Sequence, residues 1–175
     1  MKKILTVLAI VMLGCESKQQ TDFAQDEDFI KNEIVEFHGV LKKAYNGSAA
    51  DTDSLYDAYF DKSTYYVAPW GTSEPIDSTK RRLKNAVPRV KDYDNRVEVM
   101  STKVYGDGGY IFFVLRQEYT IDGRPLEEYL PTTFVMERRD GNWLVVHAQR
   151  STDVETMMQW FPPQTTREDD SKGRK

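Results

Sequence analysis

Three Asp-Gly pairs, Asp107-Gly108, Asp122-Gly123 and Asp140-Gly141, punctuate four long strand-like runs in the second half of the chain. Asp and Gly both tolerate the positive φ of a tight hairpin, so the pairs predict an antiparallel meander with strands at about 95–106, 109–122, 124–139 and 142–152. Strands this long in a small domain must curl. Pro131 inside the third run is the expected site of the bulge at which it bends.

Hairpin arithmetic then says which residues share a face. A two-residue turn at Asp140-Gly141 pairs Arg139 with Asn142, setting Met136 opposite Val145, Phe134 opposite His147 and Thr132 opposite Gln149. The same turn at Asp122-Gly123 sets Ile111 opposite Phe134 and Phe113 opposite Thr132. One face therefore carries Ile111, Phe113, Leu115, Thr132, Phe134, Met136, Trp143 and Val145, continuing to His147, Gln149 and Ser151. A slip at Pro131 would break the rows beyond it. Apolar walls such as Phe113 and Phe134, with His147, Gln149, Thr132 and Ser151 as the few polar groups, describe a small-ligand cavity.

The first half reads as helical. Ile30, Ile34, Phe37, Leu41 and Ala44 recur at helical spacing up to a stop at Asn46-Gly47, and Asp53–Phe60 forms a shorter second helix. Ser63–Ala68 is a strand candidate closed by Pro69-Trp70-Gly71. Asp77 or Ser78 can cap a third helix that Pro88 ends. Helices first and a curved sheet afterwards make an α+β domain, a cone-shaped curved antiparallel sheet wrapped around three N-terminal helices. Thr152-Asp-Val-Glu155 resembles a capping box and precedes Met157, Met158, Trp160 and Phe161.

The N-terminus is read as processing information. Lys2 and Lys3 precede a ten-residue apolar run, Ile4–Leu13, too short to span a bilayer, and Gly14-Cys15 follows. Met12-Leu13-Gly14-Cys15 resembles the lipobox of bacterial lipoproteins, which implies cleavage before Cys15 and palmitate-type acylation there. The resulting organisation is a signal peptide at 1–14, a polar tether at 15–26, a folded domain at 27–162 and a disordered tail at 163–175. The implied location is the cell envelope, with Cys15 as membrane anchor, facing the periplasm or the exterior.

Composition removes other classes. A formal net charge of −4 disfavours duplex nucleic acid as a partner, because that affinity rests on phosphate neutralisation. One cysteine and two histidines leave no disulfide framework and no ordinary zinc set, and no phosphate loop or nucleophile elbow is present, so no cofactor or metal is expected. Tyr110-Ile-Phe-Phe-Val-Leu115 is apolar on both faces, so its outer face is covered either by the chain itself or by a second copy in a homodimer.

The order of elements, closing on Asp140-Gly-Asn-Trp143-Leu-Val-Val-His147-Ala-Gln-Arg-Ser151, resembles the SnoaL-like, nuclear transport factor two-like superfamily over about residues 27–155. The last strand is similar to that of the subgroup related to the calcium/calmodulin-dependent kinase II association domain, departing at Gln149, where that pattern often has a second His. The resemblance implies the cone fold and leaves function open, since the superfamily includes cyclases, isomerases, dehydratases and oligomerisation domains.

His147 is the one candidate catalytic residue: a general base, or a structural histidine hydrogen-bonded inside the cone. Asp57, Asp61 and Glu74 could reach it from the helical side. Gln149, Thr132, Phe134, Phe113 and Ser151 are candidate ligand contacts, and Tyr65, Tyr66, Trp70, Tyr119, Trp160 and Phe161 candidate mouth residues. His38 reads as a boundary residue of the first helix. Lys80, Arg81, Arg82, Lys84, Arg89 and Lys91 form either a solvated face or an attraction for an anionic ligand or lipid. Three readings follow: a lipid-tethered, non-enzymatic module that binds a small apolar or mixed ligand or an envelope protein, a cofactor-free cyclase, isomerase or hydratase using His147, and a purely structural dimer with no ligand.

Overall fold

The computed structural model describes residues 23–47 and 51–161, so the signal peptide, Cys15, most of the tether and the tail lie outside the described residues. Helix α1 (Ala24–Tyr45) turns Ile30, Ile34, Phe37, His38, Leu41 and Ala44 inward at three- and four-residue spacing. Its first three residues lie in the span read as tether, and Phe23 packs on the core. Helix α2 (Thr52–Tyr59) is capped by Asp51, which accepts from Asp53 N at 3.0 Å and Ser54 Oγ at 2.6 Å. Helix α3 (Ile76–Ala86) starts after Pro75 with no side-chain cap and passes into a 3-10 turn, Val87–Arg89, containing Pro88.

Six strands form one curved sheet: β1 (Phe60–Val67), β2 (Ser73–Pro75), β3 (Val90–Tyr105), β4 (Gly108–Ile121), β5 (Arg124–Arg139) and β6 (Asn142–Arg150), in the order β2-β1-β6-β5-β4-β3. The expected meander is there, but the sheet is mixed, because β1 runs parallel to β6. The chain returns to β1's neighbour only after the whole meander is built. The core lies between the concave face and the helices, around Phe37, Phe113, Phe134 and Ile111, all essentially inaccessible.

Two of the Asp-Gly turns form as expected, with Asp122 and Asp140 at φ 52° and 51° before their glycines. The first slides by one residue: Gly106, at φ 65°, and Asp107 make the turn, and Tyr105 pairs with Gly108. Gly109 is then needed for a different reason. A Cβ there would stand 2.6 Å from the Lys103 carbonyl oxygen.

Pro131 sits in unbroken register opposite Val114, which corrects the expected bulge. The N and C=O of one antiparallel residue face the same neighbour, and the Pro131 carbonyl accepts from Ser151 N at 2.8 Å. Its missing N–H therefore falls where β6 has just ended. The bends occur instead at Asp92 and Met100 in β3 and at Val146 in β6.

Beyond that end, side chains finish the ladder. Helix α4 (Val154–Trp160) is capped by Asp153 rather than Thr152, and Thr152 Oγ1 donates to the Tyr129 carbonyl at 3.1 Å. Thr156 Oγ1 accepts from Tyr129 N at 3.1 Å. The Gln159 amide pairs both ways with the Glu127 backbone at 2.9 Å. Backbone groups of β5 that β6 no longer reaches are thereby satisfied.

His38 is fully buried, correcting its reading as a boundary residue. Its Nδ1 donates to the Ile34 carbonyl at 2.8 Å, its ring meets Phe37 and Phe113 edge-on, and its Nε2 has no partner among the described residues. Burial, with the Arg150 charge adding to it, pushes its pKa down to about 3. The folded protein holds it neutral while the unfolded chain takes up a proton below about 6.5, so stability falls as pH drops through that value toward about 3.

Two outcomes are expected. In urea titrations, His38→Phe removes a slope of ~1.4 kcal/mol per pH unit between pH 6 and 4 that the parent shows. Gly109→Ala lowers stability by about 1–3 kcal/mol, because backbone on β3 must move.

Candidate functional site

The register between β5 and β6 decides the site. Arg139 pairs with Asn142 and Met136 with Val145, as expected, but Val135 then pairs with His147, Phe134 with Ala148, Thr133 with Gln149 and Thr132 with Arg150. Val146 is the extra residue of a bulge. Side chains alternate with period two, so every residue after it changes face relative to the expected pairing.

Ile111, Phe113, Leu115, Thr132, Phe134, Met136, Trp143 and Val145 do line the concave face, all buried. His147 and Gln149 do not. The His147 ring lies on the convex face in a row with Tyr65, Val135 and Tyr110, and Gln149 lies beside Thr133 and Val67. Ser151 follows the end of β6 and is exposed. The three carboxylates considered as partners for His147 are engaged elsewhere: Asp57 by Lys80, Asp61 by Arg139, and Glu74 by Arg82 and Thr79.

Arg150 takes the inward position. It follows Phe113 and Thr132 along one row across β4, β5 and β6, and its Nε donates to Thr132 Oγ1 at 3.1 Å. Above that row the cone holds a half-open cavity of about 320 Å³. Tyr66 of β1, Trp70 of the following turn and Tyr119 of β4 line it. Tyr45 of α1, Trp160 of α4 and Phe161 complete the aromatic wall. Tyr65, grouped with them in the sequence, lies on the opposite face, 55% exposed.

Two more charged residues reach this cavity. Arg82 of α3 is ion-paired to Glu74, and its guanidinium lies 5.1 Å from the Trp70 ring centre and 5.6 Å from that of Tyr66. Glu128 of β5 is buried and accepts from Tyr119 Oη at 2.7 Å, from Trp160 Nε1 at 2.5 Å and from Gln117 Nε2. These neutral donors hold its charge in place of a cation. Burial and the adjacent Glu128 push the Tyr119 phenol well above its ordinary pKa, so it stays protonated and donates.

Arg150 has no comparable match. Arg82, Arg89, Arg116, Arg138 and Arg139 each pair with a carboxylate, whereas Arg150 forms no ion pair among the described residues. Burial acts to lower its pKa. The phenols of Tyr66, Tyr56 and Tyr93 and the Glu128 carboxylate outweigh that, and the net shift is upward, so it remains a cation.

A second concavity, of about 460 Å³, lies across the outer ends of β3, β4 and β5. Of its lining residues, Arg96 and Arg116 share Glu98 at the surface, and Arg116 also stacks over Tyr129 at 4.7 Å. Nothing buried and unmatched faces it among the described residues. On α3, Lys80 pairs with Asp57 and Lys84 with Asp53, and Arg81 donates to Ser78 Oγ, which favours their reading as a solvated face.

Solved structures share this fold. A ketosteroid isomerase-like protein from Erwinia carotovora atroseptica superposes with a TM-score of 0.61 at 12% identity, covering 74% of this chain and 98% of that one. An NTF2-like protein from Cytophaga hutchinsonii gives 0.57 at 12% identity, over 72% and 97%. The chain has the NTF2-like cone fold. An NTF2-like protein from Pseudomonas aeruginosa agrees, with a TM-score of 0.59 at 17% identity over 71% and 98% of the two chains. No protein-family model matches the sequence, and no curated protein matches it. At these identities the likeness establishes the NTF2-like fold alone, and what the cone does must be argued from its own side chains.

Within this cone, Glu128 ties together the wall and the α4 cap. Glu128→Ala leaves the Tyr119, Trp160 and Gln117 donors without their acceptor. We expect a loss of about 3 kcal/mol in chemical denaturation, with Trp emission shifted to the red as Trp160 meets water.

Proposed function

We propose that this protein is a lipid-tethered envelope protein whose NTF2-like domain holds a small, partly apolar ligand in the cone without transforming it. The observation that carries the reading is an aromatic-walled cavity of about 320 Å³ with a cation, Arg150, that no carboxylate among the described residues pairs. A volume at the small end of ligand sites and a few convergent polar groups among apolar walls suit a small molecule. The non-enzymatic part of the reading is supported by the polar groups present. His147 stands across the sheet from the cavity, and Glu128 is held by three donors, so no free base among the described residues faces a bound ligand. The alternative of proton transfer by His147 gains nothing from this geometry.

The anchor is supported by Lys2, Lys3, the apolar run 4–13 and Gly14-Cys15, and it would keep a binding domain at a bacterial membrane. The closing strand from Asp140 to Ser151 supports a nearer relation to the kinase-association subgroup. Pairing of two copies through the convex face is supported by Tyr65, Val135 and Tyr110, adjacent in one row.

Native mass spectrometry of the full chain from its own host tests the central reading. The parent should carry a small added mass, and Ala86→Trp, which places an indole in the cavity from α3, should lose it. An added mass that persists in Ala86→Trp, or none in either protein, contradicts the reading. Cys15→Ser should abolish labelling by a fatty-acid probe, and labelling that survives contradicts the anchor.

A further inference from the structure

The polar groups of the cone also restrict what the ligand can be, an inference that rests on the cone being a ligand site. A guanidinium carries five N–H donors in a planar fork. In Arg150 only Nε is used, and its acceptor is itself fixed, since Thr132 Oγ1 donates to the Leu130 carbonyl at 3.0 Å. The fork is thus held by one edge while both terminal nitrogens have no protein partner among the described residues. Two parallel N–H groups in one plane match the two oxygens of a carboxylate better than any neutral acceptor.

The other charges narrow the choice. Arg82 is committed to Glu74 and lies over the Trp70 and Tyr66 rings, so it adds positive potential at the mouth without open recognition chemistry at its paired end. Glu128 has three donors on its two oxygens and offers little to a ligand cation, yet its charge opposes a second negative group. A single negative charge is therefore favoured over two. The walls choose the body: Trp70 and Trp160 meet edge-on at 5.6 Å, and Tyr66 lies 5.8 Å from the Arg150 guanidinium, a setting in which a flat ring gains face and edge contacts that a flexible alkyl chain does not.

We infer that the cone selects a planar aromatic monocarboxylate, its carboxylate on the two terminal nitrogens of Arg150 and its ring among Tyr66, Trp70 and Trp160. The test titrates the full chain with benzoate and naphthoate, with the neutral benzamide and naphthamide, and with hexanoate, phthalate, phenyl phosphate and inorganic phosphate. Binding is read by calorimetry and by Trp fluorescence. Naphthoate should bind at least tenfold tighter than naphthamide and tighter than hexanoate or phthalate. Arg150→Met should bring naphthoate down to the level of naphthamide while naphthamide changes little. Should that variant not fold, Thr132→Val keeps the cation but frees its fork, and naphthoate alone should weaken several-fold. Equal binding of naphthoate and naphthamide overturns the carboxylate inference and leaves the cone as a ligand site. Preference for phenyl phosphate or inorganic phosphate overturns it in favour of a phosphate site. Failure of every probe, with Ala86→Trp and the parent indistinguishable, contradicts the ligand site itself and the inference with it.

Discussion

One inserted residue, Val146, determines the chemistry of this cone. Up to Val145 the last strand places Trp143 and Val145 inward; after the bulge the inward positions are Ala148 and Arg150. Both neighbouring strands hold that irregularity in place. On one side the β5 pairing shifts between Met136 and Val135; on the other β1 shifts between Phe60 and Tyr65, and Thr64 Oγ1 donates to the Val145 carbonyl at 2.6 Å. Undoing the bulge would carry Arg150 and Ala148 to the convex face and bring His147 and Gln149 into the core. Because a sheet alternates strictly, no smaller adjustment would do.

The consequence is a cone with two inward charges held in different ways, Glu128 buried and Arg150 half-buried. Glu128 is surrounded by neutral donors from β4 and from α4, which couples the cavity wall to the short helix that covers it. Arg150 has one neutral acceptor and is embedded among phenols, with its terminal nitrogens left over. A half-buried cation without a counter-ion has lost part of its hydration, which an anionic partner can replace. The ligand reading makes that replacement the protein's task.

Much of the architecture was legible in the sequence, because hairpin turns and alternation are local properties. The pairings Ile111–Phe134, Phe113–Thr132 and Met136–Val145 follow from counting outward from Asp122-Gly123 and Asp140-Gly141. The count fails at Val146, where no Gly or Pro marks the bulge and the cause is the fit of two neighbouring strands. Arg150 was missed for that reason alone, since an inward-facing Arg after a slip reads like an ordinary outward one. Glu128 was missed because its burial depends on Trp160, thirty-two positions later, folding back on α4. Parallel pairing of β1 with β6 was equally invisible, because nothing local says which edge of the meander a distant strand will join. Tyr66, Trp70 and Tyr119 line the cavity while Tyr65 does not, because adjacent residues of a strand point to opposite faces.

The direct test is the register itself, read by nuclear Overhauser contacts in the labelled full chain. The account predicts contacts from the Ala148 methyl to the Phe134 ring and from the His147 ring to the Val135 methyl groups. Contacts between the His147 and Phe134 rings, with Ala148 facing Val135, would place the imidazole inside the cone and Arg150 outside it, and would contradict the account.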